Sequence, residues 1–183
     1  MSDDREQLID LDATRTDAAA RAEALRGWLT ASGWIGQQYP ETYWDSHDAP
    51  EWELGPRALA KFPSFHRASI AITGNEGVWS VDANPLPPIC PQCEEAFTFD
   101  EYYGELLEPW ATTGVEPVGI CSNCGYTAPF GDWIVENTVL GGSLGLSIDF
   151  TSPDTAGSQL ALVLLAELRE AIGGRWVYTH MHL

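Results

Sequence analysis

Lysine is almost missing from this chain: Lys61 is the only one in 183 residues. Between Arg67 and Arg169 there is no Lys, Arg or His at all, and the same stretch holds fourteen acidic residues. Proteins bind a phosphate backbone by replacing its counterions with Lys and Arg, so this stretch argues against direct nucleic-acid binding. Long apolar runs are missing too. The longest, Leu160 to Ala166, falls far short of the ~20 residues that span a bilayer. The opening Met1-Ser2-Asp3-Asp4-Arg5-Glu6 lacks the positive start and apolar core of a signal peptide. These absences predict a soluble, cytoplasmic protein with no membrane partner.

What is present is acid. The formal net charge is -18, from 27 acidic and 9 basic residues. Such a balance keeps a protein soluble, and it also suits a partner with a basic surface, steered in by charge. The hydrophobic share of 44% is ordinary for a globular chain. A chain of this length buries about 70% of its unfolded surface, so its core does not need disulfide staples.

The four cysteines stand as Cys90-Pro91-Gln92-Cys93 and Cys121-Ser122-Asn123-Cys124-Gly125. Two residues between thiols let one tight turn aim both sulfurs at a single ion, and two such turns supply a closed tetrahedral set. In a reducing compartment this pairing favours metal over disulfides. On these residues the segment from about Leu86 to Phe130 resembles a zinc ribbon, or a rubredoxin-like pair of knuckles. The resemblance covers that segment alone. It implies a structural zinc ion held by Cys90, Cys93, Cys121 and Cys124, with iron as the less favoured metal. Gly125 matches the glycine that usually follows a knuckle, whereas Glu94 stands where the first knuckle would often have one. The 27 residues between Cys93 and Cys121 also exceed the usual spacing of about 15–20. A closed tetrathiolate leaves no open position for water, so the resemblance implies structure and not hydrolysis. A thioredoxin-like dithiol is disfavoured because neither pair sits at a strand-to-helix junction.

Periodicity predicts a helix over 17–32 with Ala18, Ala22, Leu25, Trp28 and Leu29 on its apolar stripe, ended by Gly33. A short helix follows Gly55-Pro56 and ends near Lys61. Strands are predicted over 69–73 and 78–82 as a hairpin around Gly74-Asn75-Glu76-Gly77. Asp100 to Leu107 reads as a short helix. Leu144, Leu146, Ile148 and Phe150 alternate as a strand, a helix covers about 158–172, and a last strand covers 175–182. Strand, helix and strand form a C-terminal βαβ unit. The expectation is an α+β fold: one domain, a mixed sheet, two main helices, a zinc ribbon inserted over 86–130, and residues 1–13 as a disordered acidic leader. Residues 36–56, rich in aromatics and acids, fit no regular element and read as a loop cover or a contact surface.

Candidate catalytic residues are few. His180 and His182 are two apart on the last strand and share a face, but spacing identifies no carboxylate partner. His47 lies between Asp45 and Asp48 in an acid-rich loop. Gly141-Gly142-Ser143 lacks the Lys of a phosphate loop. The reading that follows is a non-enzymatic, zinc-stabilised protein-binding module, by analogy of size and charge an immunity or inhibitor-type protein. The alternatives are an enzyme using His47, His180 or His182 and, against the charge, a nucleic-acid-binding ribbon.

Overall fold

A computed structural model describes residues 4–39, 50–65, 68–74, 78–79, 85–135, 138–150 and 156–182. The fold is α+β, as the sequence predicts. Its centre is a six-stranded sheet in the order β10-β1-β9-β4-β3-β2. These strands are β1 (Asp4–Asp10), β2 (Ile35–Gln38), β3 (Glu51–Leu54), β4 (Ser69–Thr73), β9 (Leu144–Phe150) and β10 (Trp176–His182). Helices α1 (Ala18–Ala31), α2 (Pro56–Lys61) and α4 (Ala156–Ala171) belong to the same layer pair. A fourth, α3 (Glu108–Thr113), continues a wide π-helical segment, Asp100–Leu107.

Four expectations change. The first is the leader. Residues 4–10 are not disordered; they form β1, a central strand paired over seven residues with β10 on one side and with β9 on the other. Its charged side chains disguise it, because their partners lie far along the chain. Arg5 Nε donates to Asp149 Oδ1 at 2.6 Å, across 144 residues, with both side chains buried. Asp10, fully buried, takes Arg21 of α1 at 2.5 Å. A buried charge is tolerated when it is paired, and here each is.

The second is the mixed sheet. β9 and β10 run in the same direction, as a βαβ unit requires, but β1 lies between them, so every strand pairing is antiparallel. The unit is a split β-α-β. The third is the hairpin. Both edges of β4 are taken, by β3 and β9. The next strand, β5 (Val78–Trp79), therefore pairs with β8 (Gly141–Gly142) in a separate small sheet. Asn75 to Gly77, the expected turn, lie outside the described residues.

The fourth concerns 36–56, which contributes regular structure at both ends. Most of β2 and all of β3 fall inside it and pair with each other, while 40–49 lie outside the described residues.

Strand alternation sorts the core into two layers. On one face Leu8, Leu144, Leu146, Ile148, Phe150 and Trp176 pack with Leu25 and Leu29 of α1 and Leu160, Leu164 and Leu168 of α4. The predicted stripe of α1 is thus the buried one, with Ala22 and Trp28 packed at the margin. On the other face Ile9 and Val177 meet a second cluster built from the cysteine region: Cys90, Tyr102, Trp110, Cys121, Phe130, Trp133, Val135 and Leu140. Beyond Ile9 that second face turns polar, with Gln7, Ser69, Ser147 and Thr179 all buried.

Leu8 is fully buried in the first cluster. Leu8→Ala should lower stability by about 2–5 kcal/mol, the cost of a core cavity, measured by urea unfolding. A change near zero would restore the disordered leader.

Candidate metal centre

Each knuckle is closed by the same two backbone bonds. Cys90 N–H donates to Glu95 O at 2.8 Å and Glu94 N–H to Cys90 O at 2.9 Å. In the second, Cys121 N–H donates to Tyr126 O at 2.8 Å and Gly125 N–H to Cys121 O at 2.9 Å. The two turns are equivalent residue for residue, which places Glu94 at the position of Gly125. Gly125 has φ of 73° and Glu94 has φ of 61°, the one positive φ of a non-glycine residue among the described residues. The departure visible in the sequence is therefore met by bending Glu94 into left-handed backbone, at a cost of roughly 1–2 kcal/mol for an L side chain.

The turns bring all four sulfurs within 4.8 Å of one another. Cys90 Sγ lies 3.7 Å from Cys124 Sγ, and Cys93 Sγ 3.5 Å from Cys121 Sγ. These are not disulfides; all four cysteines are free. Metal–sulfur bonds of about 2.3 Å in a tetrahedron put sulfurs roughly 3.8 Å apart, close to these separations. The four cysteines are thus close enough to hold a metal ion, in an arrangement compatible with a zinc-ribbon-like knuckle pair. Without an ion the thiols divide, neighbours favouring one thiolate and opposing another. The Glu95 amide, the largest influence on Cys93, draws that thiol down to about 7. At Cys124 the Tyr126 amide also favours the thiolate, but desolvation and the three neighbouring sulfurs outweigh it and push the thiol up to about 12. A bound cation would remove that conflict by neutralising several thiolates at once.

The cluster rests on aromatic rings. Phe97, Phe130 and Trp133 stack within 4.9–5.7 Å of one another. Tyr102 meets Phe130 edge-on at 5.1 Å, and its hydroxyl donates to Val139 O at 2.5 Å. The cysteine-bearing segment thus brings an apolar core of its own and shares it with the sheet. Strands β6 (Val118–Ile120) and β7 (Thr127–Pro129) pair beside the second knuckle. Between them and the sheet, Arg175 donates to Glu116 at 2.6 Å and to Asp132 at 3.0 Å, while Glu116 also accepts from Gly131 N–H at 2.6 Å. Arg15 donates to Ala111 O at 2.8 Å. The segment without bases is therefore docked by two arginines from outside it.

The other predicted residues separate. His180 is half-buried on β10, with Nδ1 3.0 Å from Glu6 Oε2, the same oxygen that accepts from Tyr178 Oη at 2.7 Å. Glu6 is the carboxylate that spacing could not identify, hidden in the supposed leader. The contacts tie β10 to β1. His182 ends β10 with its backbone opposite Asp4, and His47 lies outside the described residues. A shallow groove of about 350 Å³ lies elsewhere, between α1 and β3, lined by Ala22, Arg26, Gln38, Trp52 and Ile72 among others.

Two substitutions test the equivalence of the turns. Glu94→Gly should stabilise the metal-loaded protein by about 1 kcal/mol and Gly125→Ala should destabilise it by a similar amount, read by chemical denaturation. Equal small losses for both would contradict it. Phe130→Ala should cost about 3–5 kcal/mol by the same measurement. Compared with known proteins, the chain matches no family model, no curated protein and no solved structure.

Proposed function

We propose that this protein is a non-enzymatic binding module, braced by one zinc ion, whose acidic surface engages a protein partner with a basic one. The observation that carries the reading is the surface around the cysteine cluster. Of the seven acids between Cys93 and Cys121, six (Glu94, Glu95, Asp100, Glu101, Glu105 and Glu108) are exposed, and no base lies among them. Glu116, the seventh, is used internally by Arg175. Exposed charges of one sign steer an oppositely charged partner and repel nucleic acid. An immunity or inhibitor-type protein, neutralising a basic toxin or enzyme, is one concrete form of this activity.

Zinc is favoured over iron because the first knuckle, with Glu94 in place of glycine, departs from the rubredoxin-like pattern, and a tetrathiolate zinc site only builds structure. With four sulfur ligands the ion would have no position left for water, so its chemistry would be to neutralise thiolates and fix the two turns. Among the described residues no helix is long and apolar enough to cross a membrane. Reduced thiols fit a cytoplasmic setting.

The brace is tested by adding a chelator to the zinc-loaded protein and following amide exchange. Residues 86–130 should lose protection while β1, β9 and α4 keep theirs; uniform protection after metal removal would contradict a structural role. The partner is tested by affinity capture from the native host. One protein with a basic surface should be retained at low salt and released as salt shortens the screening length. Retention of DNA with a steep salt dependence would contradict the reading.

A further inference from the structure

We infer that the free edge of β6 is the docking strand of this module, and that its occupant is an extended, lysine- or arginine-bearing segment of the protein partner, added as a third strand beside β6 and β7. The inference narrows the acidic-partner reading to one surface and rests on it.

The backbone shows the vacancy. Cys121 N–H bonds to Tyr126 O, and Phe130 N–H bonds to Pro117 O. In an antiparallel pair hydrogen-bonded and non-hydrogen-bonded positions alternate. Residues 117, 119 and 121 therefore turn their backbone groups toward β7, and Val118 and Ile120 turn theirs to the opposite edge. β6 pairs with β7 alone among the described strands, and neither Val118 nor Ile120 makes a further backbone bond among the described residues. Proteins blunt such an edge with charged side chains, with proline, or by keeping the strand very short. β6 is short, three residues after Pro117, but carries no charge: it presents two β-branched residues, Val118 at 55% exposure and Ile120 at 64%. Between them Gly119 faces inward, where a Cβ would press on Phe130 and Trp133 at 3.0 Å, so the strand lies tight on the aromatic core.

Beside Ile120 is a small groove of about 30 Å³, lined by Glu95, Ala96, Phe97, Glu101, Cys121 and Trp133, among others. It has room for the tip of one small apolar side chain, and two exposed carboxylates stand at its rim. Strand addition takes affinity from main-chain bonds and specificity from pockets for alternate side chains. Alternation of apolar and basic residues matches this edge. A second copy of the chain does not match it, since it would set two acid-rimmed edges against each other at a net charge of -18 each.

The test uses the zinc-loaded, isotope-labelled full chain and an acetylated peptide of alternating Lys and Val. At saturating peptide the Val118 and Ile120 amides should exchange about tenfold more slowly, and the charge-neutral V118S/I120S variant should bind about tenfold more weakly, a loss of roughly 1.4 kcal/mol. Both side chains are more than half exposed, so the variant should melt where the parent does. The same peptide N-methylated on alternate residues should not bind. If the Lys peptide binds the variant equally, or protects amides elsewhere, the edge is the wrong surface while the acidic-partner reading stands. If a Glu/Val peptide binds as well as the Lys/Val peptide, or neither binds, both fall. Slow exchange at Val118 and Ile120 that appears without peptide and grows with protein concentration would assign the edge to a second copy and overturn the inference.

Discussion

The sheet is held together by β1. It pairs on both sides at once, and without it β9 and β10 would be two strands that run the same way with nothing between them. Leu8 on one face anchors the helical layer, and Ile9 on the other anchors the cysteine-bearing layer. One dipeptide thus joins the two hydrophobic clusters. The polar neighbours carry the same logic in charges: Arg5 reaches Asp149 on β9, Glu6 reaches His180 and Tyr178 on β10, and Asp10 reaches Arg21 on α1.

The cysteine-bearing layer depends on two kinds of contact. Aromatic packing among Phe97, Tyr102, Phe130 and Trp133 supplies area, and Arg175 supplies the link back to the sheet through Glu116 and Asp132. A basic side chain donated from outside the acid-rich segment satisfies the two acids nearest the sheet. Glu94, Glu95, Asp100, Glu101, Glu105 and Glu108 are exposed. Position and charge therefore divide the work of this layer: its inner side is neutralised and packed, and its outer side keeps a field of one sign. That division follows from the chain having so few bases to distribute.

Much of the fold was legible because its signals are local. The α1 stripe, the Pro56 start of α2, the alternation of β9 and the spans of α4 and β10 all appear about where periodicity and turn residues place them. The cysteine cluster was legible for the same reason, since each knuckle needs only a few consecutive residues. What failed was long-range. β1 looked like a leader because Arg5 and Glu6 read as solvent-loving until their partners, more than 140 residues away, are known. The hairpin after β4 failed because β3 and β9 already take both edges of β4. Glu94 was correctly marked as a departure, and its consequence, a left-handed turn without glycine, needed coordinates to see. Nothing in the spacing of His180 pointed to Glu6.

The metal is where chemistry and architecture meet. Four sulfurs within 4.8 Å of one another are poor neighbours as free thiols and good ones as ligands. If zinc occupies them, the two knuckles become a rigid base from which β6 and the exposed acids project. X-ray absorption at the zinc edge of the purified protein tests this most directly. The account predicts four sulfur neighbours at about 2.3 Å and no nitrogen or oxygen in the first shell. A shell with oxygen or nitrogen ligands, or a sample whose metal is iron, would contradict it.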